Sequence, residues 1–303
     1  MGQFSDEYYN HTGADELMHR LADGFLLTQG PMGSALMSQY GAGDVPPAFW
    51  NIGEPQTVTN LHELYAAAGA QVLITNTFQA NETTLKRDGI APSVAEVNRF
   101  AVDDARRANP QCLLGSMGPA GIEWFVTSDK EYSEAREVYR NQAYALLNAG
   151  VDALLLETFT SIRDLEPALA GANDVRFDMP LLVSFAVDDE GNLLSDGLNI
   201  EAAVVFAEKH GASAVGVNCC SLAASASLVE RMCSAATTPV MMRPNAGNPK
   251  QIDGELIWDE SSGAFAQACL EWKRLGARVI GSCCGTTAKT TAAMAEALGV
   301  LEA

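Results

Sequence analysis

The sequence predicts a single (β/α)8 barrel, and three observations carry that prediction. Eight short apolar runs recur along the chain, each ending in small or polar residues. Helical patterns alternate with them. No Pro/Gly/Ser-rich linker divides the 303 residues, a length that suits one barrel domain over 1–303. A doubly wound open sheet would use the same alternation and is the competing architecture.

The runs, in order, are FLLTQG (25–30), VLITNT (72–77), CLLGSMG (112–118), ALLLET (153–158), LLVSFA (181–186), AVGVNC (214–219), VMMRPNA (240–246) and ARVIGSCC (277–284). Near-continuous apolar character without strict alternation marks strands buried on both faces, as in parallel sheets. Between them, TVTNLHELYAAAGA, EAREVYRNQAYALLNAG, NIEAAVVFAEKHGA and SGAFAQACLEWKRLGA show helical spacing. They stop at Gly69, Gly150, Gly211 and Gly276, the expected punctuation after a helix. ADELMHRLAD, before the first run, predicts a short N-terminal helical extension outside the eightfold pattern.

Composition narrows the function classes. Nineteen Lys and Arg stand against 38 Asp and Glu, a net charge of −19. Such a surface repels phosphate backbones and anionic membranes, so neither nucleic acid nor a membrane is an expected partner. The polar, acidic N-terminus has no apolar core of a signal peptide, and no run is long enough to span a bilayer. The expected location is the cytoplasm. Seven cysteines, an odd number, do not suggest a disulfide scaffold there. Cys112, Cys233 and Cys269 sit singly in apolar or helical contexts and read as small core hydrophobes.

A barrel builds its chemistry at the C-terminal ends of its strands. The unusual residues fall there: TQGPMGS, TNTFQAN, GSMGPAG, ET, NCC, RPNAG and GSCCGTT. Strands six and eight would bring Cys219, Cys283 and Cys284 to one mouth. Three thiolates suit Zn²⁺ with a fourth position left open. Cys220 follows Cys219 on a strand, so its side chain is expected to point to the opposite face. From the residues alone, two other readings of the cysteine pairs stand beside zinc: buried apolar filler and a thiol–disulfide redox pair.

GVNC (216–219) and GSCCGTT (281–287), with LITNTFQAN (73–81), GSMGPAG (115–121), LLLET (154–158) and RPNAG (243–247), appear in the order found in one family. From about Leu21 to Leu298 the chain resembles the zinc-dependent homocysteine S-methyltransferases, including the homocysteine-binding module of cobalamin-dependent methionine synthase. The resemblance implies that Cys219, Cys283 and Cys284 bind Zn²⁺ and that the thiol of homocysteine is activated there and methylated to methionine. It implies that Glu157 is the catalytic carboxylate holding the substrate amino group. Strand-end groups at Gln29, Gly30, Asn76, Ser116 and Asn245 would frame the amino acid. On residue chemistry alone, Glu157 could instead pair with Arg243 inside the barrel.

The resemblance also departs at places that bear on substrates. The family pattern D-G-x-M-G-T reads QGPMGS here, so Gln29 replaces a carboxylate and weakens an ion pair to an ammonium group. Arg243 could bind a substrate carboxylate or neutralise Glu157. Gln79 and Thr158 occupy positions where the betaine-using branch places tyrosines, so a quaternary ammonium donor is disfavoured. Trp50, Phe78, Trp124 and Phe125 could build a different cage or simply pack the barrel top. A sulfonium donor remains, as does a methylcobamide carried by a separate corrinoid protein, since the chain lacks D-x-H-x-x-G. Two further readings are a corrinoid-linked demethylation enzyme with another small substrate, and a non-catalytic zinc barrel closed by Cys220. His62 reads as an ordinary helix residue.

Overall fold

The computed structural model describes residues 9–39, 45–120, 128–247, 250–252, 255–259 and 261–301. Along the chain these form α1 (His11–Asp23), β1 (Leu26–Leu27), α2 (Gly33–Gln39), α3 (Pro47–Gly53), α4 (Pro55–Ala67), β2 (Val72–Ile74), α5 (Glu82–Arg87), α6 (Val94–Arg107), β3 (Cys112–Met117) and α7 (Asp129–Ala149). Then follow β4 (Ala153–Phe159), α8 (Ile162–Asn173), β5 (Leu181–Phe185), α9 (Ile200–Lys209), β6 (Ala214–Asn218), α10 (Ser225–Ala235), β7 (Val240–Arg243), β8 (Lys250–Ile252), β9 (Glu255–Ile257), α11 (Ser262–Leu275), β10 (Ala277–Ile280) and α12 (Ala288–Leu298). Each of the eight apolar runs contains one strand of a parallel sheet ordered β1-β10-β7-β6-β5-β4-β3-β2. A parallel bridge between Thr28 and Val72 joins its two ends and closes the barrel. β8 and β9 form a separate antiparallel pair.

Alternation places one set of side chains inside and the other outside, and both sets are apolar. Leu26, Val72, Ile74, Cys112, Leu114, Ala153, Leu155, Leu182, Ala214, Met241 and Val279 form one buried cluster. Their outward neighbours, such as Leu113, Leu154, Leu156, Val183 and Val217, belong to the larger cluster shared with the helices. Apart from Arg278, which is exposed on β10, both faces of the barrel strands are therefore removed from water, as the sequence pattern requires. The N-terminal extension has a definite place: Leu17 and Leu21 of α1 join the interior cluster, so this helix plugs the barrel.

Local signals set the boundaries. Ser93 with Glu96 and Ser128 with Glu131 form capping boxes at the starts of α6 and α7. The four expected stop glycines all adopt left-handed φ, from +89° at Gly211 to +112° at Gly276. Cys112 and Cys269 are buried in the core and Cys233 is partly buried, as expected of small hydrophobes. No helix among the described residues is long and apolar enough to cross a membrane.

Candidate functional site

The C-terminal ends of the strands surround a cavity of about 370 Å³. Gln29, Gly30, Asn76, Ser116, Glu157, Cys219, Cys283 and Cys284 all line it. Asn245 does not; its backbone N–H bonds to the Cys220 carbonyl at 2.9 Å, and its side-chain oxygen is buried without a partner among the described residues. Of the four aromatic candidates, Phe78 lines the cavity and Trp50 is buried in the core. Trp124 and Phe125 lie outside the described residues.

The three cysteines meet although 64 residues separate Cys219 from Cys283. Their sulfurs all lie within 4.8 Å of one another. Cys219 Sγ is 3.1 Å from Cys283 Sγ, and Cys283 Sγ is 4.0 Å from Cys284 Sγ. Zinc–sulfur bonds of about 2.3 Å in tetrahedral geometry put sulfurs about 3.8 Å apart, so the donor set fits such an ion. Two backbone features create this convergence. Cys219 has φ +54°, a left-handed conformation that costs a non-glycine residue about 1–3 kcal/mol. Gly285, at φ +81°, turns the chain after Cys284, and a Cβ there would meet the Trp258 ring at 2.0 Å.

Cys220 points elsewhere. It is buried with its sulfur 3.9 Å from Met242 Sδ, on the outer side of the barrel wall, and burial pushes its thiol up to about 12. Within the trio the three thiols perturb one another. Hydrogen bonds from the thiols of Cys219 and Cys284 outweigh the burial of Cys283 and, with nearby Arg243, hold it well below the usual thiol range. Contact with Cys283 and Cys284, together with burial, holds Cys219 well above that range. The three sulfurs thus contact one another directly, a cluster of mutual contacts that a divalent cation would replace.

Glu157 is aimed by a defect in the sheet. The β4–β5 register shifts between Leu156 and Phe159, and Thr158 has φ +67°. This bulge leaves both Glu157 and Thr158 on the cavity wall. Ser116 Oγ donates to Glu157 Oε1 at 2.5 Å. Arg243 donates to Oε2 at 2.7 Å, with only 3% of the Arg243 side chain exposed. Burial works against the Arg243 charge, but Glu157 and Cys283 outweigh it and its pKa is raised. Ser116 is itself clamped: its N–H bonds Thr75 Oγ1 at 3.0 Å, and its carbonyl accepts from Thr77 Oγ1 at 2.7 Å.

Gln29 is engaged with the fold. Its Nε2 donates to the Ile74 carbonyl at 3.2 Å, and its Oε1 accepts from the Ile74 N–H at 3.1 Å. The side-chain amide thus extends the seam beyond Thr28 as a backbone amide would. Behind it, His62 Nδ1 lies 3.1 Å from Oε1. Because Oε1 can only accept, Nδ1 carries the ring proton. His62 is far from an ordinary helix residue: it is fully buried, and burial lowers its pKa to about 3. Asn76 gives both amide hydrogens to α3 and its start, at Pro47 O (2.7 Å) and Asn51 Oδ1 (3.1 Å).

Sequence reasoning did not single out Asn218. It sits between Thr158 and the sulfurs and bonds to both. The available signal was a polar residue ending the apolar run AVGVN, directly before Cys219.

The fold and site define a class: a closed parallel barrel whose C-terminal mouth carries three convergent cysteines, a set that could hold a metal ion, beside a buried carboxylate. Residues 26–298 match the family model described as homocysteine S-methyltransferase, and the chain belongs to that family. It is 29% identical over 300 residues to a methionine synthase of Mycobacterium leprae, covering 91% of this chain and 24% of that protein. It is 31% identical over 254 residues to the methionine synthase of Mycobacterium tuberculosis, covering 78% and 21%. The chain therefore spans about a quarter or less of the length of these curated relatives. Its fold resembles the crystal structure of the metallated homocysteine methyltransferase MmuM from Escherichia coli, with TM-score 0.74, 24% identity, and coverage of 93% of this chain and 98% of that one.

Proposed function

We propose that this barrel is a zinc-dependent S-methyltransferase that activates homocysteine as a thiolate and yields methionine. The observation that supports this reading best is the convergence of three cysteine sulfurs within 4.8 Å in the same cavity as Glu157. Cys219, Cys283 and Cys284 would hold the ion. What zinc supplies there when bound is ionisation of a substrate thiol whose free pKa is about 8.5, so that its sulfur is nucleophilic at neutral pH.

The remaining work falls to the chain. Glu157, held from two sides by Ser116 and Arg243, is the acceptor for the substrate ammonium group. With Gln29 committed to Ile74 and His62, Glu157 carries that task without a second carboxylate from β1. Pro31, Met32, Met37, Pro47, Ala48 and Phe78 give the cavity an apolar wall. Such a wall limits water around a methyl group in transfer. Fixed placement of sulfur and amino group supplies orientation. A thioether product is a poorer metal ligand than a thiolate, which favours its release. The outward position of Cys220 supports an open three-cysteine set over a closed four-cysteine one.

Calorimetry tests this reading. L-homocysteine should bind the zinc-loaded protein with release of a proton, and should bind far more weakly after zinc is stripped. Absence of binding to a fully loaded sample would reject homocysteine as the acceptor.

A further inference from the structure

The two strand ends that carry the chemistry both leave the barrel through left-handed residues, Thr158 at φ +67° and Cys219 at φ +54°. Neither residue favours that conformation, and for β-branched Thr158 it is a genuine outlier. The amide of Asn218 lies between them. Its Oδ1 accepts from the Thr158 N–H at 3.0 Å and from the Ser184 hydroxyl. Its Nδ2 donates to Thr158 Oγ1 at 2.7 Å. The other Nδ2 hydrogen faces sulfur, 3.4 Å from Cys219 Sγ and 3.8 Å from Cys283 Sγ.

This arrangement fixes the amide orientation. The Thr158 N–H is an obligatory donor, so the atom opposite it must be Oδ1. Turning the amide over would set two donors against each other at Thr158 and an oxygen lone pair against two sulfurs. Asn218 is buried, so both faults would be unrelieved by water. Its oxygen supplies an acceptor where the β4 bulge disturbs the ladder. Its nitrogen offers a donor to the sulfurs of Cys219 and Cys283.

We propose that Asn218 is a positioning residue that couples the Glu157 strand end to the cysteine trio, holding an amide N–H against the sulfurs of Cys219 and Cys283. The inference rests on the zinc–thiolate reading of the trio and adds a residue to it. N–H···S donation fixes the direction of each sulfur. Groups that orient metal ligands in this way change metal affinity by about 10–100-fold when replaced.

The test is zinc affinity, measured by competition with a chromophoric chelator, alongside thermal unfolding. Asn218→Asp keeps the shape but sets an oxygen against the sulfurs. It should weaken zinc binding by about 10–100-fold. Ser184→Ala removes one of the two donors that hold Oδ1 and should weaken zinc in the same direction by a smaller factor. Ser184→Ala also serves if Asn218→Asp does not fold. Leu17→Ala, at the opposite end of the barrel, controls for lost stability. It should lower the melting temperature and leave zinc affinity unchanged. Equal or tighter zinc binding by a folded Asn218→Asp overturns the proposal, as does a loss in Leu17→Ala matching that in the Asn218 variant. Failure of the unaltered protein to bind zinc would instead remove the zinc reading itself.

Discussion

Replacing Arg243 by Met should be among the most damaging single changes in the barrel. The guanidinium and the Glu157 carboxylate meet at 2.7 Å with side-chain exposures of 3% and 9%. At an effective dielectric of about 20, the attraction at that distance is about 6 kcal/mol. Desolvation of both ions offsets much of it, so the intact pair contributes little net stability. Removing one member is different, because the other stays buried without its counter-charge, at a cost of about 3–5 kcal/mol. Arg243→Met should therefore lose about 3–5 kcal/mol in urea unfolding, while Arg243→Met with Glu157→Gln should recover most of that loss. The Ser116 hydroxyl remains available to the Gln side-chain oxygen in the double variant. A loss below about 1 kcal/mol in the single variant, or a double variant no more stable than the single, would refute the reasoning.

Other consequences can be checked independently. Cys219→Ala should abolish stoichiometric zinc in elemental analysis, whereas Cys220→Ala should retain it, since the Cys220 sulfur faces Met242. Gln29→Glu should destabilise the protein by about 1–3 kcal/mol, because a carboxylate oxygen would face the Ile74 carbonyl in place of an N–H; calorimetric melting reads this. Stability should also depend on pH through Asp104. Its carboxyl is buried on α6, against Thr59 of α4, and desolvation raises it from 3.8 to about 6 despite Arg107. The folded state then binds more protons than the unfolded state between about pH 4 and 6, so this group's contribution falls as pH rises through that window. Asp104→Asn should remove that component, seen as a flatter profile than the unaltered protein in urea titrations at stepped pH.

The sequence by itself determined the barrel. Eight apolar runs, each long enough for one strand buried on both faces, repeat with helices that stop at glycines. This information is local, because a strand's burial and a helix's stop depend on neighbouring residues. The trio was also legible, since barrel topology alone sends the ends of strands six and eight to one rim. What sequence could not give were contacts set by closure and register. Gln29 could be named only as a substrate candidate, and the β1–β2 seam adds that its amide, on the cavity wall, bonds Ile74 and His62. Whether Arg243 reaches Glu157 was equally open in the sequence, and the neighbouring strand ends set its guanidinium against one carboxylate oxygen. The left-handed turns at Thr158 and Cys219 have no glycine to announce them, because their cost is offset by partners remote in sequence. Asn218 bonds Thr158 across 60 residues and Cys283 across 65. Only a closed barrel, with each strand end held at a fixed height and angle, brings such groups within bonding distance.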